Sequence, residues 1–134
     1  MAKITAEMRE VVDKTKGWAV ATASKDGTPH VITVGFAKVL SEGEILVMDV
    51  FMKKTRENIE ANPKIAVSAC DFDALKGYRF EGVPTILTSG PIFDDGVKWV
   101  KGVMPQLSPK AAVVVKVDKI YITSPGPDAG REVS

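Results

Sequence analysis

Trp18-Ala19-Val20-Ala21-Thr22-Ala23-Ser24-Lys25-Asp26-Gly27-Thr28-Pro29-His30 is the stretch whose reading decides the fold. Trp18 to Ala23 is built of small and β-branched residues, which suit a strand packed closely against its neighbours. Lys25-Asp26-Gly27-Thr28 carries the Asp-Gly signal of a tight hairpin turn. The chain is therefore predicted to double back, with His30 to Leu40 as the second, antiparallel arm. Upstream, Thr5 is placed to cap a helix over Ala6 to Lys16, with Met8, Val11, Val12 and Thr15 on one side and Gly17 ending it. Downstream, Ser41-Glu42-Gly43-Glu44 turns the chain into the apolar run Ile45 to Phe51.

Further strands are predicted at Lys64 to Asp71, Tyr78 to Thr88 and Ala111 to Thr123. A helix introduced by Pro91 and Asp94 presents Phe93, Val97, Val100 and Met104 at near-helical spacing. Six strands with hairpin connections and inserted helices imply a mainly β fold, an antiparallel barrel or sandwich and not a parallel α/β sheet. At 134 residues the chain is long enough for one real core and too short for two. A single domain is expected over residues 1–124, followed by a flexible polar tail over residues 125–134 that begins at Pro125-Gly126-Pro127.

The net charge of +1 disfavours a dedicated nucleic-acid binder. No apolar run approaches the roughly 20 residues that span a bilayer, and Met1-Ala2-Lys3-Ile4-Thr5 reads as the approach to a helix, so a cytoplasmic protein is expected. One cysteine, Cys70, excludes an internal disulfide, and one histidine, His30, excludes the usual histidine-rich metal sites. His30 reads as a turn-flanking polar residue and Cys70 as core filling. Lys38 and Arg79 alternate with apolar residues, as solvent-facing strand positions do.

Met52-Lys53-Lys54-Thr55-Arg56-Glu57-Asn58-Ile59-Glu60-Ala61-Asn62-Pro63 follows the apolar strand and carries its cations ahead of a short helix. Thr55 is the expected N-cap, and Pro63 stops the helix after roughly two turns. A helix start offers free backbone N–H groups and partial positive charge, so this corner looks like a seat for a phosphate. An ordinary amphipathic helix, with Arg56 and Glu60 paired one turn apart, fits the same residues.

In this order the pieces resemble the FMN-binding split-barrel proteins related to pyridoxamine 5′-phosphate oxidase. The resemblance runs from about Ile4 to Ser124. It is carried by the helix-first start, the Trp18 to Ala23 strand, the Lys25 to His30 turn, Lys38-Val39-Leu40, Lys54-Thr55-Arg56-Glu57-Asn58-Ile59 with Asn62-Pro63, and Gly90-Pro91-Ile92-Phe93. It implies a six-stranded antiparallel Greek-key split β-barrel, a homodimer, and two FMN molecules at the subunit interface. By the same resemblance Lys54 is the phosphate-binding lysine, Thr55 supplies a hydroxyl and an amide, Asn58 faces the same side, and Lys53 is a second cation. The flavin wall falls on Val31, Ile32, Thr33, Val34 and Gly35, with Asp49, Val50 and Phe51 leading to the phosphate. Gly35 either admits the ring closely or marks a bend. Trp99 either belongs to the core or covers flavin or the dimer partner.

The implied function is electron or hydride transfer by an FMN oxidoreductase, with no catalytic side chain, substrate or electron partner identified. A true pyridoxamine 5′-phosphate oxidase is disfavoured, since that pattern continues into an arginine-rich C-terminal segment while this chain closes on Pro127 to Ser134. A third reading is a non-catalytic module: a flavin store, or a binder of a deazaflavin or haem.

Overall fold

A computed structural model describes residues 2–134. Its elements are α1 (Ala6–Lys14), β1 (Trp18–Ala23), β2 (Pro29–Val34), β3 (Ala37–Ser41), β4 (Glu44–Asp49), α2 (Lys54–Ala61), β5 (Ile65–Asp71), β6 (Lys76–Leu87), α3 (Pro91–Val103) and β7 (Ala111–Ile122). The strands form one sheet in the order β2-β1-β5-β6-β7-β4-β3, every neighbouring pair antiparallel.

The predicted hairpin is present, pairing Trp18 with Val34 and Ala23 with Pro29. Gly27 takes the positive φ of 90° that the turn requires. Asp26 closes the turn by accepting from the Ser24 hydroxyl and from Thr28, bonds that hold its carboxyl below the usual aspartate range.

The strand count is seven, not the six expected. His30 to Leu40 is not one strand, because the chain breaks at Gly35-Phe36 and β2 and β3 pair with different partners, β1 and β4. A glycine there lets the backbone leave one ladder, and the Phe36 carbonyl already accepts from Met48 N–H at 2.9 Å as the next ladder begins. Because β2 and β3 lie at opposite edges of the sheet, this short link has a large consequence. Three residue steps from Val34 to Ala37 reach at most about 11 Å. The sheet must curl until its edges nearly meet.

Inside the curl Trp18, Val20, Ile45, Val47, Val67, Phe80, Val113, Val115 and Ile120 form the main core. Helix α1 closes one end with Met8 and Val12, and Thr5 caps it as predicted, accepting from Met8 N–H at 3.2 Å. It stops at Lys14, two residues short of the expected end, where the Thr15 hydroxyl donates to the Val11 carbonyl. Strand β4 and the first half of β7 are buried on both faces, so Leu46, Met48, Ala112 and Val114 form a second cluster beneath Val100 of α3. The two layers touch where Gly96 lies on Met48; a Cβ there would strike the thioether.

The segment over residues 125–134 makes backbone hydrogen bonds to β7. Ile120 N–H donates to Ser134 O and Val133 N–H returns to Ile120 O, while Val133 packs on the core.

Strands β6 and β7 shift register between Glu81 and Gly82, and a Cβ on Gly82 would fall on the Lys116 carbonyl. Overpacking of this kind costs about 1–3 kcal/mol, so Gly82→Ala lowers stability by that amount in urea titration. Gly102→Ala, in α3 with nothing near its Cβ, is the matched control and raises stability or leaves it unchanged.

Candidate cofactor site

Four residues, Val50 to Lys53, carry the chain from the end of β4 into α2. Asp49 is fully buried at the strand end. Its Oδ1 accepts from Met52 N–H at 2.9 Å and its Oδ2 from Arg56 Nη1 at 3.0 Å. The aspartate expected to lead toward the cofactor is thus turned inward and holds the connection together.

That tie also moves the helix start. The N-cap is Lys53, with no side-chain hydrogen bond to the first-turn amides, and Thr55 lies inside the helix and is not its cap. The Thr55 hydroxyl and Arg56 Nε are buried and have no hydrogen-bond partner among the described residues. Leaving such a group unpaired costs about 1–3 kcal/mol. Lys53 and Lys54 are exposed, and Lys54 Nζ lies 3.8 Å from Glu57, a contact that solvent screening makes weak. Arg56 meets Glu60 at 3.9 Å, as the spacing predicted.

Asn58 departs from its expected place on the phosphate side. It is buried and donates to the Thr22 hydroxyl at 3.1 Å, while Asn62 reaches the Ala23 carbonyl at 3.4 Å. These two amides peg α2 to β1, which explains why the second half of a short helix stays seated.

Beside this helix start opens a cleft of about 430 Å³, within the range of small-molecule sites. One wall is Ile32 to Phe36, the end of β2 and its junction with β3. The opposite side comes from Met48 and Val50 to Met52, and Met104 and Leu107 close it from beyond α3. Four of the five residues expected in the wall are there, Ile32, Thr33, Val34 and Gly35. Val31 is not; it lies on the same strand face as Thr33 but two residues farther from the junction with β3, and is 64% exposed. Phe51 stands at the lip, 75% exposed. A larger hollow of about 470 Å³ on the sheet, floored by Ala21, Ala66 and Gly82, does not border the start of α2.

Trp99 does not line the cleft. It meets Phe36 edge-on, ring centroids 5.6 Å apart at 87°, with Lys38 Nζ 4.3 Å from its own ring centre. It therefore stands behind the wall that Phe36 forms. Phe36, Met48, Met52, Met104 and Leu107 were not among the predicted site residues. None of the five carried a signal in the sequence, Phe36 lying inside a run read as one strand.

An apolar slot that ends at an uncapped helix start suits a flat ring with an anionic tail. The pyridoxamine 5′-phosphate oxidase family pattern matches residues 4–124. The chain belongs to that family. A protein of Methanocaldococcus jannaschii is 35% identical over 136 aligned residues, covering 100% of this chain and 90% of that one. The crystal structure of HupZ from Group A Streptococcus superposes with a TM-score of 0.82 at 30% identity, over 95% of this chain and 99% of that one. An FMN-binding protein of Syntrophomonas wolfei shares the fold at TM-score 0.77 and 18% identity, over 87% and 83% of the two chains. An F420 reductase shares it at 0.65 and 19%, over 84% and 94%, and the haem storage protein HutZ of Vibrio cholerae at 0.64 and 15%, over 90% and 94%. Among such folds, then, are proteins named for three planar cofactors.

The residues of this site suit a group such as FMN. The slot offers apolar walls to the ring, and the unpaired Thr55 hydroxyl and open first-turn amides offer donors to a phosphate. A Cβ on Gly35 would meet nothing within 4 Å, and its φ is not in the left-handed region. Gly35→Ala therefore keeps the fold or stabilises it by about 0.4–1 kcal/mol through the unfolded chain. In a filled cleft the same methyl overpacks the ring face and weakens FMN binding by about 1–3 kcal/mol, read by titration beside thermal melting.

Proposed function

We propose that this chain is an FMN-binding redox protein, with the isoalloxazine ring in the cleft between Gly35 and Met52 and the phosphate at the start of α2. The observation that carries the reading is the adjacency of the two halves: the cleft's own lip, Phe51-Met52, runs directly into the uncapped helix start. Bound FMN supplies hydride or single-electron chemistry through its ring. The chain's part is to hold and orient it. Ile32, Val34 and Met52 exclude water from the ring, the Thr33 to Gly35 backbone supplies donors and acceptors for its polar edge, and Lys54 with the first-turn amides of α2 neutralises the phosphate. No side chain in the cleft is an acid or base, which suits a site whose reactive atoms belong to the cofactor.

Haem finds less support. Its iron takes His, Cys or Tyr as ligand, with Met serving beside His, and the cleft's lining offers thioethers but no imidazole, thiol or phenol, His30 lying outside it. A deazaflavin shares the planar ring and the phosphate, and stays the second reading.

We further propose a homodimer closed over the cleft. Val31, Phe51, Val103 and Met104 are large apolar side chains left exposed in and around it, and β2 offers an unpaired edge. Sedimentation of the FMN-loaded protein at micromolar concentration is expected to give the dimer mass; a monomer refutes the assembly.

The phosphate contact separates FMN from riboflavin, which carries the same ring without the phosphate. A charge-assisted hydrogen bond contributes about 1.5–3 kcal/mol, so Lys54→Ala weakens FMN roughly 10- to 150-fold and leaves riboflavin nearly unchanged. Lys53→Ala controls for nonspecific charge. Equal loss of both ligands, or of neither, rejects the phosphate corner.

A further inference from the structure

We infer that the buried Asp49–Arg56 pair is the positioning element that gives the site its preference for a phosphorylated ligand, an inference that rests on the FMN reading above. Helix α2 is anchored at two places. Its second half is pegged to β1 through Asn58 and Asn62. Its first turn, whose amides and Lys54 meet the anion, is tied to the rest of the fold by one side-chain ion pair among the described residues, that of Arg56 with Asp49, which also holds Met52 N–H just ahead of the helix; the contacts Lys54–Glu57 and Arg56–Glu60 lie within the helix itself.

The base of that tie is rigid. Asp49 pairs with Ala111 as the last residue of β4, and its carbonyl accepts from Lys110 N–H at 2.7 Å. From this fixed point one carboxylate reaches both ends of the irregular connection, Met52 N–H before the helix and the Arg56 guanidinium within it. The direction in which the helix start points is therefore set by two bonds to one buried group.

An ion pair is not needed there for stability alone. Burying a carboxylate is costly, and well-packed apolar residues replace buried ion pairs with little loss of stability. What the pair adds is direction, because charge-assisted bonds are short and geometrically demanding. Arg56 has a second effect. It neutralises a carboxylate buried beside a helix N-terminus, where an unpaired negative charge would otherwise compete with the ligand's phosphate for the same positive field.

The ring depends little on this tie, since Met52 alone of the residues lining its cleft hydrogen-bonds to the Asp49 carboxylate, and Ile32 to Phe36, Met104 and Leu107 lie outside the tie. The consequence is selective. Disturbing the pair harms recognition of the phosphate and spares the ring.

The test is titration of the full chain, Asp49→Asn, Arg56→Gln and the double variant with FMN and with riboflavin, each beside a melting curve. Each single variant is expected to lose about tenfold or more in FMN affinity, the loss of one charge-assisted bond, with riboflavin changed less than about twofold. The double variant is expected to lose no more FMN affinity than the worse single one, as partners in one interaction do. An unchanged FMN-to-riboflavin ratio in the single variants, with a preference for FMN in the parent, overturns the inference and leaves the pair as core support, whatever the melting temperature does. A parent with no preference for FMN overturns the phosphate reading itself. Should Asp49→Asn not fold, Arg56→Gln decides alone, because the Arg56 side chain is 27% exposed and its loss opens no cavity in the core.

Discussion

The rest of this structure depends on one constraint of chain length. Two residues, Gly35 and Phe36, join strands at opposite edges of a seven-stranded sheet, and so short a link cannot cross an open sheet. The curl that follows makes the enclosed core, and it brings the end of β2 opposite the end of β4. The same junction is one wall of the cleft. Fold closure and the cleft thus have a common origin, and a residue at the junction answers to both.

The second feature that builds the site is burial of β4 and the first half of β7 on both faces. An amphipathic strand would have left Leu46, Met48, Ala112 and Val114 facing water; here α3 covers them, and Gly96 lets it settle onto Met48. Met48 reaches the cleft, so the seating of α3 is felt there through packing, with Trp99 and Phe36 as a second contact. Close-packed interiors transmit such shifts because they have little free volume to absorb them.

Much of the architecture was legible in the sequence because its signals are local. Asp-Gly placed the hairpin, Thr5 the first helix, and β-branched runs the strands. The split of the second predicted strand was not legible, since Gly35 in an alternating run reads equally as a bulge, and only the choice of a new partner strand decides. The site divides the same way. Lys53 and Lys54 stand exposed at the helix start, as their spacing indicated, and Ile32 to Gly35 line the cleft. Asp49 and Asn58 turned inward, because a polar residue next to a ligand corner and one that braces the corner from behind have the same sequence signature. Tertiary hydrogen bonds to Arg56 and to Thr22 separate the two cases, and no local pattern encodes them.

Related folds serve FMN, F420 and haem proteins, so the barrel does not select the cofactor; the edges of the cleft must. Apolar walls attract any large planar ring, and that attraction is indifferent to what the ring carries. Discrimination comes from the few polar groups at the margin. Haem needs a ligand to iron and makes its carboxylate contacts at a porphyrin edge, whereas a flavin needs no metal ligand and concentrates its charge at the end of a flexible ribityl chain. In this chain the cleft's Phe51 and Met52 run directly into the start of α2, where Lys53, Lys54 and the first-turn amides concentrate positive charge at one point. A single concentrated anion matches that arrangement better than two carboxylates spread along one ring edge. The braced helix start, more than the barrel that carries it, is what makes FMN the reading this chain supports best.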